Sequence, residues 1–358
     1  MPDPEITNGA ERLPNQRQGR FGVLGAVAVT TLLCGGMVYG VNKYTECPGV
    51  DEATVQEVEE LFDQPEADGM YWIAPPDSAK PTSIDRKYSD KIAQKYGLHF
   101  FNYALDPDVD AATSTRDFSG YLKAAQGFAA KYGVNVSIGG ADRTYEFGGR
   151  AQDLSELDNS TAQNKINRLM VSLSQRSVEY IRLSNLQHIV LANTGSMGGY
   201  ADSDDHTYYV NLLNAKEDVF DHEITHLVDT ELCNGNFRRG KDPQFAETNP
   251  VDIYKDKEGY ISYDTYQNNP DLTNPDQIVA PGEYSFRNVE EHKAELGSNF
   301  GDARMSGILL DRRSPVLRRQ YLIWLSRIFV RQPDLVRFEA ETTPHQADNP
   351  ITRDWRFR

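Results

Sequence analysis

Residues 221–229 read Asp-His-Glu-Ile-Thr-His-Leu-Val-Asp. His222 and His226 are four residues apart, so on a helix both imidazoles leave one face a turn apart. Two neutral ring nitrogens placed this way can bind one Zn²⁺ at about 2.0–2.1 Å. Glu223 follows the first histidine directly and projects beside the pair. A carboxylate there can take a proton from metal-activated water. A plain polar helix with surface histidines carries the same pattern. Two features of the context favour a metal. Val219, Phe220, Ile224, Leu227 and Val228 can pack the helix on a core, and a β-like segment precedes it at 208–212.

A third ligand must come from a separate element. Residues 284–300 read YSFRNVEEHKAELGSNF, in which Glu291 and Glu295 are four apart and share a helical face. Either carboxylate on that face can complete a His₂Glu set and leave a fourth position for water. His292 offers another donor but points elsewhere on the helix. Asn288 and Glu291 also have the spacing of a capping box, in which Glu291 would only serve the helix end. An aspartate from the 242–276 insertion is the alternative third ligand.

HEITHLVD followed by EEHKAEL resembles the gluzincin metallopeptidases, most closely the anthrax lethal factor and Pro-Pro endopeptidase group. The resemblance covers roughly residues 155 to 330. It implies His222, His226 and Glu291 as zinc ligands and Glu223 as general base. It places Asp229 and Glu295 behind the ligands, where they could orient imidazole N–H groups. It also implies that Tyr284, seven residues before the ligand glutamate, stabilises the oxyanion. The implied fold is zincin-like, the cofactor zinc, and the partner a peptide or protein substrate. The chain departs from the group in two respects. A long polar insertion at about 234–281 separates the two helices, and His292 and Lys293 stand where the group usually has aromatics.

Helices and strands must position these residues. Helical spacing predicts helices at 51–62, 114–132, 218–232, 288–300 and 315–331, and another starting near Asn159 and carrying Ile166, Leu169, Met170, Leu173, Tyr180 and Ile181. Leu317, Tyr321, Leu325 and Ile328 should line the 315–331 helix. Segments 99–103, 134–138, 187–192 and 206–212 read as strands. Helices mixed with a few clustered strands predict an α+β fold with a small mixed sheet. The strand around 208–212 is expected to offer an edge on which an extended substrate could pair.

The chain has 358 residues, of which 37 are basic and 53 acidic, for a formal charge of −16. So acidic a chain excludes general phosphate-backbone binding, and no nucleic-acid partner is expected. Residues 21–41 form an uncharged run of 21, about 31 Å long as a helix and close to bilayer thickness. Arg12, Arg17 and Arg20 precede the run and only Lys43 follows closely, so the N-terminus is expected inside and the bulk of the chain outside. A cleaved signal peptide is the alternative. Cys47 and Cys233 would then lie where a disulfide persists.

The expected organisation is a cytoplasmic tail at 1–20 and an anchor at 21–41. A connector with a small α/β region follows at 42–150, then a zincin-like domain at 151–335 and a C-terminal tail at 336–358. The expected function is a membrane-anchored, extracytoplasmic zinc endopeptidase. A non-catalytic envelope protein that keeps the fold for binding is the competing reading. Asp202, Asp204, Asp205, Glu217, Asp218, Asp221 and Glu231 crowd the HEITH region, which fits a solvated acidic face or a preference for basic peptides.

Overall fold

The computed structural model describes residues 47–63, 83–115, 118–139, 159–192, 198–211, 219–234, 242–249, 283–301, 309 and 315–342. They form an α+β fold in which helices surround a four-stranded mixed sheet. The strands are β1 (Asn135–Ile138), β2 (His188–Ala192), β3 (Gly199–Asp202) and β4 (Thr207–Asn211), in the order β1-β2-β4-β3. β1, β2 and β4 run parallel, and β3 pairs antiparallel to β4 at the edge. The register places Val136, Ile189, Tyr208 and Ala201 in one row across the sheet, all buried. All five residues of β4 are buried, as expected for a central strand covered on both faces.

This topology corrects the substrate-edge expectation. β4 is paired on both sides, so residues 208–211 offer no edge. The edge next to it is β3, a short strand that the sequence reading did not anticipate. β1 comes from the segment expected as an accessory region, and it pairs with β2 from the segment expected as the main domain. The boundary placed near residue 150 lies outside the described residues. So does the 21–41 run. Among the described residues no helix is long and apolar enough to cross a membrane.

The helices follow the apolar spacing, with three differences. α1 (Glu52–Asp63) buries Val55, Val58 and Phe62. α2 is Ser83–Tyr96. The expected strand at 99–103 is instead an extended stretch ending in a 3₁₀ turn, Tyr103–Leu105. Its polar groups are taken up by a helix start. The Val178 amide donates to the His99 carbonyl at 2.8 Å, and Glu179 accepts from the His99 amide at 3.0 Å. An unanticipated helix, α3 (Pro107–Thr115), begins with a proline whose missing N–H costs nothing at that position, and the expected 114–132 helix follows it as α4 (Phe118–Ala130). The periodicity from Asn159 to Ile181 divides into α5 (Asn159–Ser174) and α6 (Val178–Leu183). Ser177 causes the break by capping α6, its hydroxyl accepting from the Tyr180 amide.

The helix that carries the histidines is α7 (Val219–Leu232), and a short α8 (Pro243–Ala246) follows. α9 (Val289–Gly297) carries the glutamates. α10 (Pro315–Arg331) is buried on every side from Gln320 to Phe329. Leu317, Tyr321, Leu325 and Ile328 are buried as expected, and Leu322, Ile323 and Trp324 are buried as well. α11 (Pro333–Thr342) buries Leu335, Val336, Phe338 and Ala340, so packed structure runs into the tail expected at 336–358. Arg318 pairs with Glu59 and Asp63, and Arg319 with Glu52, which ties α10 to α1.

Arg176, between α5 and α6, is buried. Its guanidinium binds Asp221 at the start of α7 and the Phe300 carbonyl. Glu339 of α11 lies near it. Burial pushes the Glu339 carboxyl up to about 7, against the opposing pull of Arg176. The native state therefore holds a proton that the unfolded chain releases above about 4.5. That contribution to stability is complete below the unfolded pKa and is lost as pH rises through 7. Glu339→Gln should flatten this slope. Urea melts at pH 5 and pH 8 should show wild type losing more stability than the variant between the two.

Candidate metal centre

α7 and α9 must lie unusually close for their side chains to share an ion. Gly297, at the end of α9, makes this approach feasible. A Cβ there would sit 2.4 Å from Thr225 Cγ2 of α7 and 2.7 Å from Trp324 Cζ2 of α10. Thr225 immediately precedes His226. A buried charge network completes the clamp. Lys293 of α9 lies 2.6 Å from Asp229 of α7 and 3.2 Å from Asp242, which caps α8. Arg327 of α10 also binds Asp242 through both terminal nitrogens. Burial opposes the charge on Lys293, but Asp229 and Asp242 outweigh it and raise its pKa. Two anions and two cations thus balance in the interior, where an unmatched one would be costly.

This frame brings three ligand atoms to a near-equilateral triangle. His222 Nε2 lies 3.1 Å from Glu291 Oε2 and 3.2 Å from His226 Nε2, and His226 Nε2 lies 3.2 Å from Glu291 Oε2. Zinc bonds of about 2.0–2.1 Å in a tetrahedron need ligand atoms about 3.3–3.4 Å apart. The triangle is within a few tenths of an ångström of that. The donor set, two imidazoles and a carboxylate, also suits Zn²⁺.

Neighbouring groups orient these ligands. Glu295 Oε1 lies 3.0 Å from His222 Nδ1. A proton held on Nδ1 by that carboxylate leaves the Nε2 lone pair facing the triangle. Glu295 therefore sits behind the ring, and Glu291 is the carboxylate that reaches the triangle. The capping alternative for Glu291 resolves the same way. The Asn288 side chain accepts from the Glu291 amide at 2.8 Å, while the Glu291 carboxylate turns to the histidines and Tyr284. Tyr284 sits on a 3₁₀ turn, Glu283–Phe286, and its hydroxyl donates to Glu291 Oε1 at 3.2 Å. Its ring meets His222 edge-on at 5.6 Å. Glu223 Oε2 accepts from the Ala201 amide of β3 at 2.8 Å, which places the acid between the histidine helix and the sheet edge.

The electrostatics favour a cation. Burial pushes the Glu223 carboxyl up, although both histidines pull it down. Burial would likewise raise Glu291, but its bonds to His222 and His226 hold it well below the usual carboxylate range. Burial disfavours charge on His222, yet Glu291 and Glu295 overcome that and push its pKa up to about 10. Three carboxylates around two imidazoles favour positive charge at this position. His292, by contrast, is fully buried against Phe245, and burial drives its pKa down to about 3.

All seven residues expected at the site fall in this neighbourhood: six around the triangle, and Asp229 in the adjoining Lys293 network. Of the aspartates in the 242–276 insertion, Asp242 is committed to Lys293 and Arg327, and the others lie outside the described residues. A second group with ligand chemistry, Cys47, Cys233 and Asp242, is closed by the disulfide Cys47–Cys233. The Ala201 amide and Arg287 were not anticipated. Lys293 left a signal, a lysine at a buried helical position. Neither family models, curated proteins nor solved structures match the chain.

Two outcomes test this geometry. With the His222 pKa pushed up to about 10 by Glu291 and Glu295, a zinc ion binding at pH 7 would have to displace a proton there. Calorimetric zinc titrations in buffers of different ionisation enthalpy should show at least one proton released. Apparent affinity should fall about tenfold per unit as pH drops from 8 to 6, and Glu291→Ala should lose the site. Gly297→Ala should destabilise the fold by about 1–3 kcal/mol in urea and weaken zinc binding, since it drives α7 and α9 apart.

Proposed function

We propose that the chain is a zinc-dependent endopeptidase of the gluzincin type, built on a zincin-like fold. The carrying observation is the 3.1–3.2 Å triangle of His222, His226 and Glu291 with Glu223 alongside. His222, His226 and Glu291 would hold a zinc ion, whose Lewis acidity would make water a nucleophile near neutral pH. Glu223 takes the proton that water loses on attacking the scissile carbonyl, then delivers it to the leaving amine. A carboxyl pushed up by burial suits both halves of that task better than an ordinary one. Tyr284 would turn its one hydroxyl proton from Glu291 Oε1 to the carbonyl oxygen as negative charge builds there.

The edge strand supports a peptide as substrate. The Ala201 amide reaches Glu223, so the side of β3 away from β4 faces the candidate site. Among the described residues that side carries no strand. An extended peptide laid along β3 would make backbone hydrogen bonds largely independent of its sequence and bring a carbonyl to Glu223. Asp202, Asp204 and Asp205 at the end of β3 favour basic side chains there. The Cys47–Cys233 disulfide agrees with an oxidising, extracytoplasmic location and with an anchor at residues 21–41.

The test uses the full-length protein, zinc-loaded in detergent, and a library of mixed peptides. Wild type should hydrolyse internal peptide bonds, and Glu223→Gln should lower the rate by about 10²–10⁴-fold with zinc content unchanged. A wild type that binds zinc and cuts nothing would favour the non-catalytic binding protein.

A further inference from the structure

Tyr284 belongs to a local device that the metal ligands alone do not explain. The 3₁₀ turn Glu283–Phe286 leads into Arg287, whose amide donates to the Tyr284 carbonyl at 3.1 Å. On such a turn, residues three apart eclipse one another. The Arg287 side chain accordingly lies along Tyr284, its guanidinium carbon 5.8 Å from the ring centroid. Arg287 Nη1 donates to the Tyr284 hydroxyl at 3.0 Å and stands 3.5 Å from Glu291 Oε1. The hydroxyl therefore accepts from Arg287 and donates to Glu291, on the carboxylate oxygen turned away from the histidines.

We propose that Arg287 is a positioning residue: its guanidinium holds the Tyr284 hydroxyl at the rim of the metal centre. This rests on the peptidase reading for its catalytic consequence but not for its geometry. A phenol hinged on one hydrogen bond can swing about its side-chain torsions. A second bond from a planar guanidinium restricts the swing, and a correctly placed donor matters at a developing oxyanion. The pairing of Arg287 with Glu291 contributes little to stability: the Arg287 side chain is 46% exposed, and the two residues are four apart along the chain, a class of contact in which the gain is small. A lysine keeps the charge but has no fork, so it should restore the position only in part.

The experiment has a spectroscopic arm and a kinetic arm. Full-length protein is labelled with fluorotyrosine and loaded with zinc, and the Tyr284 resonance is assigned by its loss in Tyr284→Phe. That resonance should shift or broaden in Arg287→Ala and return partway in Arg287→Lys, with urea stability and zinc content unchanged. A Tyr284 signal indifferent to Arg287→Ala overturns the proposal whether or not any peptide is cut. In the kinetic arm, Arg287→Ala should lower kcat about tenfold with KM unchanged, and should cost nothing further in a Tyr284→Phe background. An equal loss in both backgrounds overturns the proposal by showing that Arg287 acts independently of the tyrosine. Absence of cleavage by wild type would defeat the peptidase reading alone, and the resonance would still decide the positioning role.

Discussion

Two helices far apart in sequence must meet within van der Waals contact, and the candidate site depends on that approach. His222 and His226 come with α7, and Glu291 comes with α9, some 65 residues later. A zinc-sized triangle tolerates an error of only a few tenths of an ångström. The absence of a side chain at Gly297 provides the clearance, and Thr225 of α7 and Trp324 of α10 fill the space around it. Packing of this density is stiff, so displacement of one helix is felt at the ligands.

The charge network adds direction to that packing. Apolar contacts let helices slide, whereas Lys293 between Asp229 and Asp242 is satisfied in one register. Lys293 is two residues beyond Glu291, and Asp229 three beyond His226, so the ion pair fixes the same turns that present the ligands. Its contribution to net stability is small, because desolvating the four charges offsets most of their attraction. Its effect is to make misregistered packing costly, since a slip would leave a buried lysine or aspartate unmatched. At the other end of α7, Arg176 holds Asp221, the residue before the first histidine. Both ends of the histidine helix are thus set by charge, and its middle by Ile224, Leu227 and Val228.

Much of this was legible in the sequence, because period and ligand spacing are local properties. The pattern His222-Glu223-x-x-His226 on an apolar-backed helix specifies α7, and Glu291 with Glu295 specifies the face of α9. The 315–331 helix was readable to the residue. Elements defined by tertiary partners were not. β3 has four residues and no alternation strong enough to read alone, and it exists because it pairs with β4. The 99–103 segment has strand-like composition but satisfies its backbone on the start of α6. The break at Ser177 hid inside continuous apolar periodicity, where a cap competes with propagation and wins. The meeting of Cys47 with Cys233, 186 residues apart, had no local signature.

The two polar residues that follow Glu291 and the stretch between the two helices share one physical setting. His292 and Lys293 of the glutamate helix are both buried. His292 packs its ring against Phe245 of α8. Lys293 binds Asp242, the residue that caps α8. Both therefore contact the short helix at 243–246, which lies within the stretch that separates the two ligand helices in sequence. The stretch between the two helices thus supplies, at residues 242–246, the apolar ring and the counter-charge that a buried histidine and a buried lysine require. The Cys47–Cys233 disulfide lies against the same cluster, with Cys233 Sγ 3.9 Å from Lys293 Nζ. Closing a loop of that length restrains the unfolded chain by about 5 kcal/mol in the chain-entropy picture. The crosslink thus secures the C-terminal end of α7 where the neighbouring interior holds charge.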